Sequence, residues 1–117
     1  MRKGFIYRID YVGEHPLIKG CSYAGSKKES QAHRWSKYFG SPSKQGCEKC
    51  AAWVLESKIN PHLFNKTIVR EVEQDESIVE CEIEYLKSVS KDITTDAKWL
   101  NSAIPRLGSF SRVFIYS

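Results

Sequence analysis

Two tyrosines near the N-terminus lie in settings where a phenol can take part in chemistry. Tyr7 ends the segment Gly4-Phe5-Ile6-Tyr7, and Tyr23 begins the segment Tyr23-Ala24-Gly25. An alternating aromatic-rich run, a polar turn and a second run ending in Tyr-x-Gly predict a β-hairpin that holds the two tyrosines side by side. Taken alone, such a pair stabilises the sheet by about 0.5 kcal/mol. A free phenol has a pKa near ~10, so a phenolate at either position would require a nearby cation.

A carboxylate occupies an unusual position later in the chain. Helical spacing aligns Glu82 with Ile78 and Leu86, on the side of a predicted helix that faces the protein. Carboxylates seldom lie on such a face without a partner or a metal ion. The alternative is a boundary position from which the carboxylate reaches water, while Glu80 and Glu84 fall on solvated faces.

Three other polar side chains allow two interpretations each. Arg34 precedes Trp35, and is either a phosphate-binding cation or a surface arginine beside a core indole. Asn101 lies in a Leu-Asn-Ser turn, where an amide more often bonds its own backbone than a substrate. His33 adjoins Arg34 and either shuttles protons or is solvent-exposed.

The sequence pattern around these groups predicts an α/β fold, with a small, mainly antiparallel three-stranded sheet flanked by helices. We expect strands over residues 4–12, 20–25 and 64–72. A helix or helical loop capped by Ser26 should run to Gly40, and a second helix from Glu48 should stop before Pro61 with Ala51, Ala52, Val54, Leu55 and Ile59 on its apolar face. Asp75 is expected to cap the last helix, whose apolar face holds Ile78, Cys81, Tyr85, Leu86 and Val89. Residues 99–105 should form a compact apolar turn packed on the core, and residues 111–116 should form an extra edge strand.

Length and composition indicate one domain over residues 1–117, since 117 residues at 41% hydrophobic content support one modest core. No apolar stretch is long enough to cross a bilayer, so we expect no membrane partner and a cytoplasmic location. Reduced thiols are the default for the four cysteines. Cys47-x-x-Cys50 is half of a zinc pattern, which Cys21, Cys81 or a histidine would have to complete.

Charge is distributed unevenly along the chain. Residues 1–50 carry ten Lys and Arg against four Asp and Glu, whereas residues 51–117 carry eight against ten. The first half is therefore either a surface for a polyanion or an ordinary solvated face. Residues 71–84 hold seven acids and no base, which would repel DNA unless a cation lies among them.

The order of these parts resembles the GIY-YIG nuclease family, in which a Gly-Ile-Tyr strand and a Tyr-Ile-Gly strand precede a helix with an arginine, a later helix with a metal-binding glutamate, and an asparagine. The corresponding parts here are Gly4-Phe5-Ile6-Tyr7, Tyr23-Ala24-Gly25, Arg34-Trp35, Glu82 in Glu82-Ile83-Glu84-Tyr85-Leu86, and Asn101. All five occur in the right order within residues 4–104, and the resemblance is closest to the compact catalytic domains of phage homing-type endonucleases. An inserted phenylalanine in the first motif and Ala24 in the second leave both tyrosine hydroxyls in place.

The resemblance implies a metal-dependent DNA endonuclease with a GIY-YIG-like fold. Tyr7, aided by Tyr23, would orient or deprotonate the attacking water, Arg34 would hold the phosphate, and Glu82 would hold a single Mg²⁺ or Mn²⁺ ion. Asn101 would brace the site, and the backbone around Gly25 would let nucleic acid approach.

The segment Tyr38-Phe39-Gly40-Ser41-Pro42-Ser43-Lys44 is similar to a Y-x-G-S-x-K segment of some phage relatives, which makes Lys44 the alternative to Arg34 as the catalytic cation. The DNA-contacting residues expected from the resemblance and the basic N-terminal half are Gly25, Lys27, Lys28, His33, Lys37 and Lys44.

Specificity would come from this basic half, from a homo-oligomer or from a separate protein, and the setting would be a phage-infected host cell. Two other functions stay open from the sequence. The first is a nucleic-acid-binding or protein-binding module on the same fold whose site has decayed, and the second is a small zinc-stabilised interaction protein.

Overall fold

A three-stranded antiparallel sheet forms the centre of the protein. The computed structural model describes residues 1–42 and 48–105, and in them the strands are β1 (Gly4–Tyr11), β2 (Ser22–Lys28) and β3 (Phe64–Val72). The strand order is β2-β1-β3, and β1 pairs antiparallel with both neighbours. The predicted α/β class and the small antiparallel sheet are confirmed.

The predicted hairpin of β1 and β2 is present, with different bounds for its second strand. Gly20 has a φ of +77° in the connecting turn, and the amide of Cys21 still donates to the carbonyl of Ile18. Strand β2 therefore begins at Ser22, whereas the prediction began it at Gly20. It then continues past Gly25 to Lys28, which lies opposite Gly4.

The central strand β1 is covered on both faces because its neighbours and the helices enclose it. On one face Phe5, Tyr7 and Ile9 join a core that includes Trp53 and Phe64. On the other face Ile6 packs with Val72 and Cys81 beneath the last helix. Each fully buried side chain of this size contributes roughly 1.5–3 kcal/mol by leaving water, so β1 contributes strongly to the stability of the sheet.

The segment after β2 is a 3₁₀ helix over Glu29–Lys37. Its N-cap residue is Lys28, with no side-chain capping bond, so the prediction that Ser26 caps it is wrong. Ser26 belongs to β2, and its hydroxyl bonds elsewhere. Trp35 fastens this helix to the sheet, since its ring lies 5.4 Å from that of Phe5 and 5.1 Å from that of Tyr7.

Helix α1 spans Glu48–Ile59, as predicted, but its predicted apolar face is wrong. Cys50 and Trp53 are its buried residues, whereas Leu55 and Ile59 are 60% and 63% exposed. The indole of Trp53 fills the space over Phe64, at 4.9 Å between ring centroids. One large side chain thus decides which face of the helix is turned inward.

Helix α2 spans Ile78–Val89 and follows a short 3₁₀ helix, Pro61–Leu63, and strand β3. Its inward face holds Cys81 and Leu86, as predicted. The cap is Ser77, whose hydroxyl accepts from the amide of Glu80, and the predicted cap Asp75 is wrong because the helix begins two residues later than Asp75 would require.

The segment after α2 returns to the sheet, as expected for residues 99–105. Trp99 and Leu100 are buried, and Trp99 forms a parallel bridge with Ser22 of β2. The predicted edge strand over residues 111–116 lies outside the described residues. Among the described helices, none combines the length and apolar character needed to cross a bilayer.

Candidate active site

A cleft of about 260 Å³ lies along the edge strand β2 and brings four of the five predicted catalytic residues together. Tyr7 and Tyr23 come from the sheet, Glu82 from α2, and Asn101 from the returning segment. The described residues that line the cleft are Tyr7, Tyr23, Ala24, Gly25, Ser26, Tyr38, Ser41, Glu82, Asn101, Ser102 and Ala103. None of these is basic, so Glu82 supplies the one formal charge among them at neutral pH.

The two predicted tyrosines are diagonal neighbours across the β1–β2 pair. Tyr7 lies opposite Gly25, Tyr23 lies opposite Ile9, and the two phenol rings are 6.5 Å apart between centroids. A Cβ built on Gly25 would lie 2.6 Å from the Tyr7 hydroxyl oxygen. The Tyr7 hydroxyl occupies the space beside Gly25, and the approach of nucleic acid to this backbone stays a prediction. The glycine therefore lets Tyr7 reach the cleft.

Burial keeps both phenols protonated. Desolvation raises the pKa of Tyr7 far above its ordinary value, and a hydrogen bond to Tyr38 raises it further. Desolvation also raises the pKa of Tyr23 to about 12. At neutral pH both groups are hydroxyls that donate and accept hydrogen bonds, and a phenolate would need an added positive charge in the cleft.

Glu82 is half-buried, and its carboxylate accepts a hydrogen bond from the Ser26 hydroxyl at 2.6 Å. Burial raises the pKa of Glu82, and this bond partly offsets the rise. Within residues 1–42 and 48–105 no Lys, Arg or His forms an ion pair with it. The exposed neighbour Glu84 bonds Arg70 at 2.8 Å. Arg70 also bonds Glu76, so a cation does lie among the acids of residues 71–84.

Asn101 is 6% exposed and holds the edge of the sheet. Its amide oxygen accepts from the Ala24 amide at 3.1 Å, and its amide nitrogen donates to the Ala24 carbonyl at 2.7 Å. The side chain thus continues the pairing that Trp99 begins at Ser22. Asn101 therefore bonds a distant backbone rather than its own, and its role in bracing a catalytic site stays a prediction.

Tyr38 is a cleft residue that was not predicted. The Tyr7 hydroxyl donates to the Tyr38 hydroxyl at 3.2 Å, and the two rings meet edge to face. The ammonium of Lys27 lies 3.9 Å from the centroid of the Tyr38 ring. The similarity of the segment Tyr38-Phe39-Gly40-Ser41-Pro42-Ser43-Lys44 to a phage motif is the available signal for Tyr38, but that motif points to Lys44 rather than to the tyrosine.

A half-buried lysine fastens the Tyr38 segment to β3. The Lys66 ammonium donates to the Tyr38 carbonyl at 2.9 Å and to the Trp35 carbonyl. It also lies 4.6 Å from the ring centroids of Trp35 and Phe39. Burial lowers the pKa of Lys66. These bonds satisfy carbonyls at the end of the 3₁₀ helix and fix where Tyr38 enters the cleft.

None of the predicted cations that the structure describes lines the cleft. Arg34 is exposed on the 3₁₀ helix and is not among the described residues that line the cleft. His33 and Lys37 are also exposed and do not line it. Lys37 lines a separate groove of about 560 Å³ beside α1. Lys44 lies outside the described residues. The catalytic roles expected of Arg34 and Lys44 stay predictions.

The cleft offers hard oxygen donors for a metal ion. The carboxylate of Glu82, the Ser26 hydroxyl and the phenols fit Mg²⁺ or Mn²⁺, which prefer oxygen and keep most of their waters. No group of three or more His, Cys, Asp and Glu gathers in the part of the chain that the structure describes. Cys21, Cys50 and Cys81 are buried in separate clusters or elements, and Cys47 lies outside the described residues.

Comparison with known proteins adds no relative. The chain matches no protein-family model, no curated protein and no solved structure.

Proposed function

We propose that the protein is a metal-dependent DNA endonuclease that hydrolyses phosphodiester bonds at a single-metal site. The observation that carries the proposal is the setting of Glu82. Its half-buried carboxylate shares a cleft with two tyrosine hydroxyls, and no cationic side chain of the described residues is paired with it. Burial removes water from this carboxylate, and no positive side chain of the described residues compensates for the loss. Such a carboxylate is suited to binding a cation.

The metal would be Mg²⁺ or Mn²⁺ held by Glu82. When bound, it would supply positive charge for the scissile phosphate and for the leaving oxygen. Glu82 is the one acidic residue among the described cleft residues, so the remaining ligands would be water and the phosphate itself.

The phenols would position the attacking water. Tyr7 is protonated at neutral pH, so its hydroxyl acts first as a hydrogen-bonding group that orients water against the phosphate. It becomes a base only where added positive charge favours the phenolate. Tyr23 lies beside it, and Asn101 holds the strand that carries Tyr23 through the backbone of Ala24.

A phosphate-binding cation is also required, and two residues are candidates. Arg34 offers a planar fork that matches a phosphate, and lies on the exposed side of the 3₁₀ helix that covers Tyr7. Lys44 follows the Tyr38 segment in the chain. Contact of either residue with the bound phosphate would complete the site.

The test is cleavage of supercoiled plasmid and of branched DNA with Mg²⁺ or Mn²⁺. The native protein should cut, Glu82→Ala should not, and Glu80→Ala should cut normally because Glu80 is exposed on the same helix. Arg34→Ala and Lys44→Ala identify the cation, since the one whose loss abolishes cutting supplies it. A native protein that cuts none of these DNAs with either metal would contradict the proposal.

A decayed binding module is the second candidate, and the position of Arg34 outside the cleft favours it. Such a module predicts DNA or protein binding that Glu82→Ala leaves unchanged. The nuclease proposal predicts instead that Glu82→Ala removes metal binding, which calorimetric titration with Mn²⁺ measures directly.

DNA is the proposed partner, and the chain would act in the cytoplasm of a phage-infected cell as a homing-type enzyme. Specificity would come from its basic N-terminal half, from a homo-oligomer or from a separate protein. A monomer with one site would nick, or cut in two successive steps, whereas a dimer would cut both strands. Sedimentation with and without DNA distinguishes these arrangements.

A further inference from the structure

A second cavity adjoins the cleft at the far end of β2. It has a volume of about 440 Å³ and is lined by Ser26, Lys27, Lys28, Gln31, Ile78 and Val79. Ser26 lines both cavities. Lys27 also joins them, because its ammonium lies on the ring of Tyr38 in the cleft. A strand of nucleic acid leaving the cleft along β2 would therefore pass directly into this groove.

The charges of the two cavities are complementary. The described lining of the cleft holds one acid and no base, whereas that of the groove holds two lysines and no acid. Lys28 is exposed, and among the described residues no carboxylate forms an ion pair with it. The nearby acid Glu29 is already bonded to Arg2 at 2.5 Å. Glu80, in the first turn of α2, is exposed and does not line the groove.

The walls of the groove are mixed in character. Ile78 and Val79 are half-buried and present an aliphatic surface, and Gln31 adds an amide. A site for inorganic phosphate alone would not need an aliphatic wall. A sugar-phosphate unit uses both features, because its deoxyribose packs on the aliphatic wall while its phosphate meets an ammonium.

We infer that this groove binds the sugar-phosphate unit next to the scissile phosphate, with Lys28 as its phosphate contact and Ile78 and Val79 as its sugar contact. The inference rests on the proposed function for the position of the scissile phosphate in the cleft. It commits the enzyme to one path, in which the DNA strand runs along β2 between Tyr23 and Lys28.

Binding of a fluorescein-labelled branched DNA, measured by anisotropy in EDTA, tests the groove without requiring cleavage. Lys28→Gln should weaken binding roughly eight-fold at about 0.1 M salt and reduce the salt slope by about 0.9, as expected for one phosphate contact. Lys87→Gln is the matched control, because it removes the same charge from an exposed position of α2 outside both cavities. Equal effects of the two variants would overturn the inference.

A second pair of variants tests the aliphatic wall. Val79→Asp places a carboxylate in the groove and should weaken binding at least as much as Lys28→Gln. Val54→Asp makes the same change at an exposed position of α1 and should have a smaller effect. Thermal melting checks that both variants fold. If Val79→Asp does not fold, the comparison of Lys28→Gln with Lys87→Gln decides whether the groove binds DNA.

The two proposals can fail separately. A native protein that cuts DNA, with groove variants that bind as it does, would overturn the groove and keep the nuclease. Groove variants that bind more weakly, in a protein that never cuts, would keep the groove as a nucleic-acid site and overturn the nuclease. A native protein that binds no DNA would overturn both.

Discussion

Tyr7 and Gly25 lie directly opposite each other across the β1–β2 pair, and the Tyr7 hydroxyl occupies the space that a side chain at position 25 would need. The glycine is required by the tyrosine, since a Cβ would lie 2.6 Å from the hydroxyl oxygen and 2.9 Å from the ring carbon that bears it. The two sequence motifs that these residues represent are thus one packing unit.

Gly25→Ala should destabilise the protein by about 1–3 kcal/mol, because the phenol of Tyr7 must move to admit the methyl group. In a Tyr7→Ala background the same change should cost little, and urea unfolding of the four proteins measures the coupling. Equal costs in both backgrounds would show that the alanine is disfavoured for another reason. Any cleavage activity should fall with Gly25→Ala alone, because Tyr7 is displaced.

Asn101→Leu should destabilise the protein by about 2–4 kcal/mol, because it leaves the amide and carbonyl of Ala24 without partners in a buried site. Ser102→Ala, at the exposed neighbouring position, should change stability by less than about 0.5 kcal/mol. Urea unfolding measures both. Similar stabilities for the two variants would mean that the Asn101 bonds contribute nothing.

Glu82→Gln should raise the Tm at neutral pH while removing metal binding. Burial raises the pKa of Glu82, so the folded protein binds its proton more tightly than the unfolded chain. The stabilisation from that proton is complete below the pKa that Glu82 has in the unfolded chain, and it is lost as the pH rises through the pKa that Glu82 has in the folded protein. The difference in Tm between Glu82→Gln and the native protein should therefore vanish below about pH 4.

Glu84→Gln is the control for that measurement, since Glu84 is exposed and bonds Arg70 at 2.8 Å. Its Tm should stay unchanged or fall at neutral pH. A lower Tm for Glu82→Gln than for the native protein would show that its hydrogen bond to Ser26 outweighs desolvation.

Tyr23→Phe should reduce the loss of stability at alkaline pH. Because burial raises the pKa of Tyr23 to about 12, the unfolded chain loses this proton near pH ~10 while the folded protein keeps it. The native protein should therefore lose about 1.4 kcal/mol of stability per pH unit more than the variant in this range. Urea unfolding from about pH 10 to about pH 11.5 measures the slopes, and parallel curves would contradict the assignment.

Tyr38→Phe should lower the pKa of Tyr7, because the hydrogen bond to Tyr38 favours the protonated phenol. Tyrosine labelled with ¹³C at the ring carbon that bears the hydroxyl reports the titration by NMR, and Tyr7→Phe assigns the signal. The Tyr7 pKa should stay above its ordinary value, since desolvation is the larger cause. An unchanged titration would mean that Tyr38 does not act on Tyr7.

Local patterns predicted most elements of the fold. Three features depend only on neighbouring residues and could therefore be predicted without the rest of the chain. They are the alternation in β1, the apolar spacing of α2 and the end of α1 before Pro61. Details that depend on distant residues were predicted less well. The face of α1 was wrong because the fit of Trp53 against Phe64 decides it. Ser26 was wrongly assigned as a cap because β2 continues to Lys28 while it is paired with β1.

Local motifs were enough to single out Tyr7, Tyr23, Glu82 and Asn101, in this order, as candidate site residues. The tertiary structure alone decided that these four share a cleft, since β2 is an edge strand that α2 and the returning segment both reach. It also decided that Tyr38 joins them and that Arg34 lies on the exposed surface. The physical reason is that such contacts join residues far apart in sequence, and packing around β1 fixes which of them meet.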